Sequence, residues 1–94
     1  FGGASWALVD ADGTMTDKQF EIVSGATATR TRNLPSPLVV GQQYAIKAIG
    51  GSARMGANGN TIRFKGVGIG GDLLMADGET AYVVADSTST VEIM

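Results

Sequence analysis

The chain has neither cysteine nor histidine among its 94 residues. The absence of cysteine excludes disulfides and thiolate metal sites. The absence of histidine removes the commonest transition-metal ligand and the commonest general base. No apolar run approaches the roughly 18 residues that a membrane-spanning segment needs, so we expect no membrane insertion.

Neither sign of charge dominates the chain, because seven basic and nine acidic residues give a net charge of −2. No basic stripe is visible, which argues against a nucleic-acid partner. A chain of this length fits one domain but buries only about 60–65% of its unfolded surface. Since disulfides and thiolate metal sites are excluded, oligomerisation is the supplement to stability that the composition favours.

The residues that are present form short alternating segments between glycine-rich turns. The clearest segments are Gln43–Ile49, Thr61–Lys65 and Thr80–Ala85. No segment keeps the helical spacing i, i+3, i+4, i+7 over about ten residues, and strands about every 8–12 residues are typical of sandwiches and barrels. We predict an all-β fold, either a small antiparallel β-sandwich or a β-prism-like domain.

The first 24 residues are predicted as an N-terminal hairpin or linker to an upstream body, with residues 25–94 as the core of the single domain. Asp10-Ala11-Asp12-Gly13-Thr14 has the composition of a hairpin turn. In the return strand the alternation predicts Phe20 and Ile22 on a buried face and Glu21 on a wet one. The chain starts without Met or a signal-peptide pattern, which leads us to expect more chain upstream.

Two glycine-containing segments give more specific expectations. Asn58-Gly59 is a strong two-residue hairpin signal. Gly66–Gly71 alternates glycine with β-branched Val67 and Ile69. That pattern suits a close approach of backbones, such as a three-fold axis, and it equally suits a loop. The residues leave both alternatives open.

No group of residues in the sequence marks a catalytic centre. Asp10-Ala11-Asp12-Gly13 matches the first part of a calcium loop, but the remainder of that loop does not match, since Thr14 offers only a weak ligand, and the simpler interpretation is a hairpin turn. Most carboxylates lie in turns beside Gly or Ser, where nothing indicates the pair that glycoside hydrolysis needs. The serines have no histidine base and no Ser-x-x-Lys motif. We predict no catalytic residue, no metal and no cofactor, and a domain that is not an enzyme.

Four residues are candidates for contact with a glycan. Trp6 and Tyr82 combine an aromatic face, on which a sugar ring stacks, with a polar tip that needs a partner or water. Arg30 and Arg63 carry the charge that would bind acidic sugars. The simpler interpretation is that the aromatic rings fill the core and that the arginines form salt bridges.

A series of loose motifs runs from Thr31 to the end of the chain, over about two-thirds of its length. They are Leu34-Pro35, Gly41, Tyr44 to Ile49 with Gly50-Gly51, Asn58-Gly59-Asn60-Thr61-Ile62, Gly78-Glu79, Ala81 to Ala85, Asp86-Ser87-Thr88 and Val91-Glu92-Ile93-Met94. Their order resembles the C-terminal domains of bacteriophage tailspikes and tail fibres. The last strand of that family usually carries a Trp, and here Val91 stands near that place.

The resemblance implies a homotrimer at the tip of a viral adhesin on the virion tail, where it fixes the register of the fibre or β-helix upstream. The partners it implies are further copies of this chain and bacterial surface polysaccharide. The candidates for burial, either in the core or between subunits, are Ile62, Phe64, Val67, Ile69, Val83 and Ile93. Two alternatives stay open: a free-standing carbohydrate-binding module, and a non-catalytic fragment of a polysaccharide depolymerase.

Overall fold

A computed structural model describes residues 6–15 and 20–94 of the chain. Within those residues every regular element is a strand, and no helix is long and apolar enough to cross a membrane. The strands are β1 (Trp6–Val9), β2 (Gly13–Thr14), β3 (Phe20–Ser24), β4 (Arg30–Asn33), β5 (Gln43–Ile49), β6 (Ala53–Gly56), β7 (Thr61–Phe64), β8 (Val67–Gly68), β9 (Leu73–Met75), β10 (Thr80–Ala85) and β11 (Thr90–Ile93). The all-β prediction is confirmed.

The strands form two sheets of unequal width. The large sheet has the order β1-β3-β5-β10-β11-β7-β8, and the small sheet has the order β2-β4-β6-β9. Among the described residues, five of the nine strand pairings are parallel. The predicted antiparallel arrangement is therefore wrong, because the sheets are mixed.

The first six strands wind as a two-sheet solenoid. Odd-numbered strands lie in the large sheet and even-numbered strands in the small one, and each new strand adds in parallel to the previous strand of its sheet. We call β1–β2 coil 1, β3–β4 coil 2 and β5–β6 coil 3. Parallel neighbouring strands need a long connection. Here the connection includes one strand of the opposite sheet, after which the chain returns to the first sheet.

The predicted N-terminal hairpin is wrong, because a hairpin needs antiparallel strands and β1 pairs with β3 in parallel. Trp6 lies opposite Phe20 and Val9 opposite Val23, so β1 and β3 run in the same direction. The chain does bend at residues 10–12, but the strand that comes next, β2, lies in the small sheet. Asn58-Gly59 likewise forms a turn between β6 and β7, which belong to different sheets. The turn-forming residues correctly predicted where the chain bends, but they did not predict which strands pair with each other.

Antiparallel strands end the parallel stacking beyond coil 3. In the large sheet β10 covers the free edge of β5, and in the small sheet β9 covers that of β6. Two hairpins complete the large sheet, β10–β11 and β7–β8. The β7–β8 turn has Lys65 and Gly66 at φ of 52° and 80°, the left-handed conformation of a tight hairpin turn. Of the Gly66–Gly71 segment, Val67–Gly68 is strand β8, Gly66 is in the turn before it, Ile69 has no regular structure, and Gly70-Gly71 is a bend.

The core lies between the two sheets. It takes Val23, Tyr44, Ile46, Ala48, Ile62, Ala81, Val83, Ala85 and Val91 from the large sheet and Ala53, Met55 and Met75 from the small one. Met15, Leu34 and Leu38 come from connecting segments. The core thus draws on residues of the first 24 as well as on the rest of the chain.

The face of β3 that is buried is the opposite of the one predicted from the sequence. Glu21 is only 2% exposed, while Phe20 and Ile22 are half-buried on the outer face of the large sheet. Glu21 faces inward because it meets Arg32 of β4, with Nε–Oε1 at 2.8 Å and Nη2–Oε2 at 3.0 Å. This bidentate pair joins the two sheets. The hydrogen bonding that Arg32 donates to Glu21 is the largest cause that raises the pKa of Arg32.

Candidate subunit interface

The inner face of the large sheet extends beyond the small sheet that covers it. Val83 of β10 lies opposite Ile93 of β11. Continuing the parallel register of β11 with β7 by one residue sets Phe64 beside Ile93, and Phe64 lies opposite Val67 of β8. Paired residues on neighbouring strands point to the same face, so these four form one row across four strands.

Solvent exposure rises steadily along that row. Val83 is 0% exposed, Ile93 is half-buried, Phe64 is 51% exposed and Val67 is 69% exposed. The gradient shows that the inner face of the large sheet is covered at Val83 and open at Phe64 and Val67, beside the β7–β8 turn.

A second row on the same face repeats the gradient. Val91 of β11 lies opposite Ile62 of β7, and these residues are 0% and 1% exposed. The N–H of Ile69 donates to the carbonyl of Ile62 at 2.9 Å, and Ile69 is 39% exposed. We call the exposed residues Phe64, Val67 and Ile69, together with half-buried Ile93 beside them, the open strip.

The six residues predicted for burial therefore share one face but divide into two groups. Ile62 and Val83 are buried within a single copy of the chain. The other four make up the open strip. Contiguous exposed apolar side chains of this size are typical of interaction surfaces rather than of ordinary monomer surface.

A groove of about 190 Å³ adjoins the strip between β9 and the β10–β11 pair. Its lining includes Leu74 and Met94, which are 56% and 57% exposed, together with Ile93 of the strip. The sequence analysis did not single out Leu74 or Met94.

Arg63 and Glu92, the charged residues of β7 and β11, lie on the face opposite to the strip and contact each other. Arg63 binds Asp86, and its Nε lies 3.8 Å from Glu92 Oε1. Glu92 also accepts the N–H of Gly66 at 3.0 Å. Hydrogen bonding from the Thr90 hydroxyl, followed by the charge of Arg63, lowers the pKa of Asp86. These charges are thus held away from the apolar face, whereas Lys65 of the β7–β8 turn places its Nζ 5.4 Å from the centroid of the Phe64 ring.

Three aromatic rings meet on the outer face of the large sheet. Trp6, Phe20, Ala45 and Tyr82 stand opposite one another on β1, β3, β5 and β10. The Trp6 ring centroid lies 5.5 Å from that of Phe20 and 6.3 Å from that of Tyr82. Ala45 is 0% exposed because the larger side chains on either side cover it. We call Trp6, Phe20 and Tyr82 the aromatic cluster; each ring is half-buried.

The four glycan candidates do not form one site. Trp6 and Tyr82 come together in the aromatic cluster, and Phe20, which sequence analysis assigned to the core, joins them. Arg30 lies on the small sheet, where its Nε is 3.1 Å from Asp10 Oδ1. Arg63 lies on β7, which is separated from β10, the strand of Tyr82, by β11. Both arginines form ion pairs, so neither offers an unpaired charge to an acidic sugar.

The described ranges 6–15 and 20–94 hold no group of three or more acidic side chains that could hold a metal ion. Comparison with protein-family models gave no match for this chain, and a search of curated proteins gave none either. The resemblance to phage tail proteins therefore stays a prediction from the motifs.

Proposed function

We propose that this chain is the C-terminal homotrimerisation domain of a phage tailspike or tail fibre, with a host-surface glycan as a second partner. The observation that carries the proposal is the open strip, an inner sheet face left uncovered in a single copy. A face of this kind is normally buried, and further copies of the chain are the partners that the family resemblance implies.

The energetics of the strip favour association. Full burial of a Val, Ile or Phe side chain contributes about 1.5–3 kcal/mol. Phe64, Val67 and Ile69 retain between 39% and 69% of their exposure, so covering the three would contribute about 2–5 kcal/mol per protomer before association costs are subtracted. The adjoining groove adds Leu74 and Met94 to the apolar surface that becomes buried.

The position of the strip suits a closed ring. It lies at the β8 end of the large sheet, where the backbone of an edge strand is open to pairing with another chain. A neighbouring copy that covers the strip also protects this edge. When each copy offers the strip to the next, three heterologous contacts close a ring. The number three comes from the family resemblance.

The experiment compares two exposed aliphatic residues in opposite parts of the large sheet. Val67→Lys places a charge in the open strip, and Leu8→Lys is the matched control, since Leu8 is 72% exposed on the first strand. We expect sedimentation equilibrium to give about three times 9.6 kDa for wild type and for Leu8→Lys, and a mass near 9.6 kDa for Val67→Lys. A folded wild-type monomer, or equal masses for the two variants, would contradict the proposal.

The aromatic cluster favours glycan contact as a second candidate function, either at the tip of the adhesin or as a free-standing carbohydrate-binding module. Sugar rings stack on aromatic faces, and the Trp6 indole N–H and the Tyr82 hydroxyl supply the polar tips. We expect Trp6→Ala and Tyr82→Ala each to abolish binding on a glycan array, while Leu8→Ala, on the same strand as Trp6, retains it. Binding that survives both aromatic changes would exclude this face.

A further inference from the structure

The turn between β6 and β7 carries an asparagine followed by a glycine. Asn58 and Gly59 are its central residues, with φ of 52° and 81°, and the N–H of Asn60 closes the turn on the carbonyl of Ala57 at 2.9 Å. Positive φ at both central residues is typical of a type I′ turn. Both residues are exposed, and a Cβ on Gly59 would meet no atom within 4 Å. The turn therefore presents this pair of residues to solvent without crowding at the glycine.

An asparagine side chain is open to attack by the backbone nitrogen of the residue that follows it. Here the nitrogen of Gly59 loses its proton to solvent and bonds to Asn58 Cγ, the Cγ–Nδ2 bond breaks, and the departing nitrogen takes up a proton and leaves as ammonia. Water then opens the resulting five-membered imide at either carbonyl, which gives an aspartate or an isoaspartate at position 58. A glycine in second place favours the reaction, because no side chain obstructs the attacking nitrogen.

The backbone of Asn58 is close to the geometry that the attack needs. The imide ring closes when Cβ and the next nitrogen are eclipsed about the Cα–C bond, which for an L-residue means a ψ of about −120°, the ψ of the first central residue in a type II′ turn. Type I′ and type II′ turns share a positive φ at that residue and differ by a flip of the central peptide. The flip reverses the sign of φ at Gly59, which a glycine tolerates. Asn58 therefore reaches the reactive geometry by a local motion of one peptide.

A single hydrogen bond restrains the Asn58 side chain in the folded state. Its Nδ2 donates to the carbonyl of Leu34 at 2.8 Å. A reaction that must first break one neutral hydrogen bond is slowed by about tenfold at most. This bond therefore delays the attack without preventing it, and it ties the turn to a core residue, since Leu34 is 0% exposed.

The other two asparagines of the chain are held more firmly. The nitrogen that would attack Asn33 belongs to Leu34 and donates to the carbonyl of Gly56 at 2.9 Å. Asn60 is 8% exposed, and the nitrogen of Thr61 after it donates at 2.9 Å to a carbonyl in the turn before β11. Both attacking nitrogens thus hold strands together, so attack at either asparagine needs a larger opening of the structure.

We propose that Asn58 is a site of spontaneous modification, which converts to aspartate and isoaspartate in the folded protein with water as the co-reactant. The product lacks the amide that donates to Leu34, and a carboxylate, which only accepts hydrogen bonds, takes its place. Isoaspartate also lengthens the backbone of the turn that joins the two sheets. The modification therefore loosens the connecting segment that contributes Leu34 and Leu38 to the core. The proposal depends neither on the open strip nor on the aromatic cluster.

The test compares two asparagine–glycine turns in one folded protein. Asp77→Asn creates the second pair in the turn between β9 and β10, where residues 77 and 78 are also exposed. Asp77 lacks the positive φ of Asn58, and the nitrogen of Gly78 donates to the carbonyl of Ala48 at 2.8 Å. The two pairs are thus matched in sequence and exposure, while the fold holds only the second in an unreactive geometry.

The folded Asp77→Asn variant is incubated in mildly alkaline buffer, and peptide mapping by mass spectrometry follows conversion at positions 58 and 77. We expect conversion at position 58 to be at least about tenfold faster, because attack at position 77 must first break the hydrogen bond of Gly78. In the urea-unfolded chain the two positions should convert at similar rates. In wild type, folding should slow the conversion of Asn58 by no more than about a hundredfold, whereas reaction only through global unfolding would slow it by more than about a thousandfold.

Asn58→Asp reproduces one product without incubation. We expect it to lower the melting temperature by about 4–8 °C, the effect of one lost hydrogen bond in a domain of this size. Asp77→Asn should melt with wild type, because an amide oxygen still accepts the N–H of Gly50, as Asp77 Oδ1 does at 2.9 Å.

Four results would overturn the proposal. They are equal conversion at positions 58 and 77 in the folded variant, conversion of Asn33 or Asn60 as fast as that of Asn58, a slowing of Asn58 by folding that exceeds about a hundredfold, and an Asn58→Asp variant as stable as wild type. Should Asp77→Asn fail to fold, the comparison of folded with unfolded wild type decides the question independently.

Discussion

The ion pair between Glu21 and Arg32 gives the most quantitative prediction. The change is Arg32→Met, which keeps a long apolar stem and removes the guanidinium. Glu21 then remains between the sheets, where its side chain is 3% exposed, without the two bonds at 2.8 and 3.0 Å that hold its carboxylate. Removal of one partner of a buried pair costs about 3–5 kcal/mol.

That cost is a large share of the total stability. A domain of 94 residues has a free energy of unfolding of about 5–14 kcal/mol. At about 4–8 °C per kcal/mol for a domain of this size, Arg32→Met should lower the melting temperature by at least about 12 °C. Glu21→Met should cost less, because the side chain of Arg32 is already 13% exposed and can turn toward solvent.

A double-mutant cycle separates the interaction energy of Glu21 with Arg32 from the effect of each single substitution. The double variant Glu21→Met with Arg32→Met removes both charges and should recover most of the loss, leaving a coupling energy of about 1–3 kcal/mol. The assay is urea unfolding followed by circular dichroism at one fixed protein concentration. A loss below about 1 kcal/mol in Arg32→Met, or additive effects of the two changes, would refute the assignment of Glu21 to the interior.

Two further predictions follow from backbone packing and from charge. Gly25→Ala should destabilise the fold by about 1–3 kcal/mol, because its Cβ would lie 2.4 Å from the carbonyl oxygen of Ser52; Ala28→Ser, at an exposed position of the same segment, should be neutral in the same urea assay. Asp86→Asn should reduce stability near neutral pH only. The lowered pKa of Asp86 contributes stability above its ordinary value of 3.8, and that stability is lost as the pH falls through the lower folded value. The difference between wild type and Asp86→Asn should therefore shrink progressively as the pH falls below 3.8, and a difference that does not change with pH would contradict the pairing with Thr90 and Arg63.

The strand content of the fold could be predicted from the sequence, while the pairing could not. Alternation and turn residues placed Gln43–Ile49 and Thr80–Ala85 correctly as strands. Turn residues report where a chain bends, and they do not report which sheet it enters next. The Asp10–Thr14 bend therefore led to a hairpin prediction, although the next strand joins the opposite sheet.

The absence of a visible repeat has a physical reason. Trp6 and Phe20 are 14 positions apart, while Phe20 and Ala45 are 25 positions apart, although each pair is adjacent in the sheet. Loops of different length separate the coils, so no fixed period appears in the sequence. The coils stack through hydrogen bonds between backbone groups. Since these bonds are compatible with many different side chains, the stacking produces no recognisable repeat of residue types.

The candidate site was predicted in part. The alternation of Ile62 with Phe64 correctly placed both on one face, but alternation alone does not show how far the opposite sheet reaches. The phase of β3 was wrong because two aromatic or aliphatic residues outweigh one carboxylate in any hydropathy pattern. Only the position of Arg32 on the facing strand makes Glu21 the buried residue.

The solution mass of the wild-type chain tests the central claim most directly. Association through the open strip predicts a mass of about three times 9.6 kDa by sedimentation equilibrium, which falls to 9.6 kDa when a lysine replaces Val67. A folded protein that sediments at 9.6 kDa over the whole range from micromolar to millimolar concentration would contradict it.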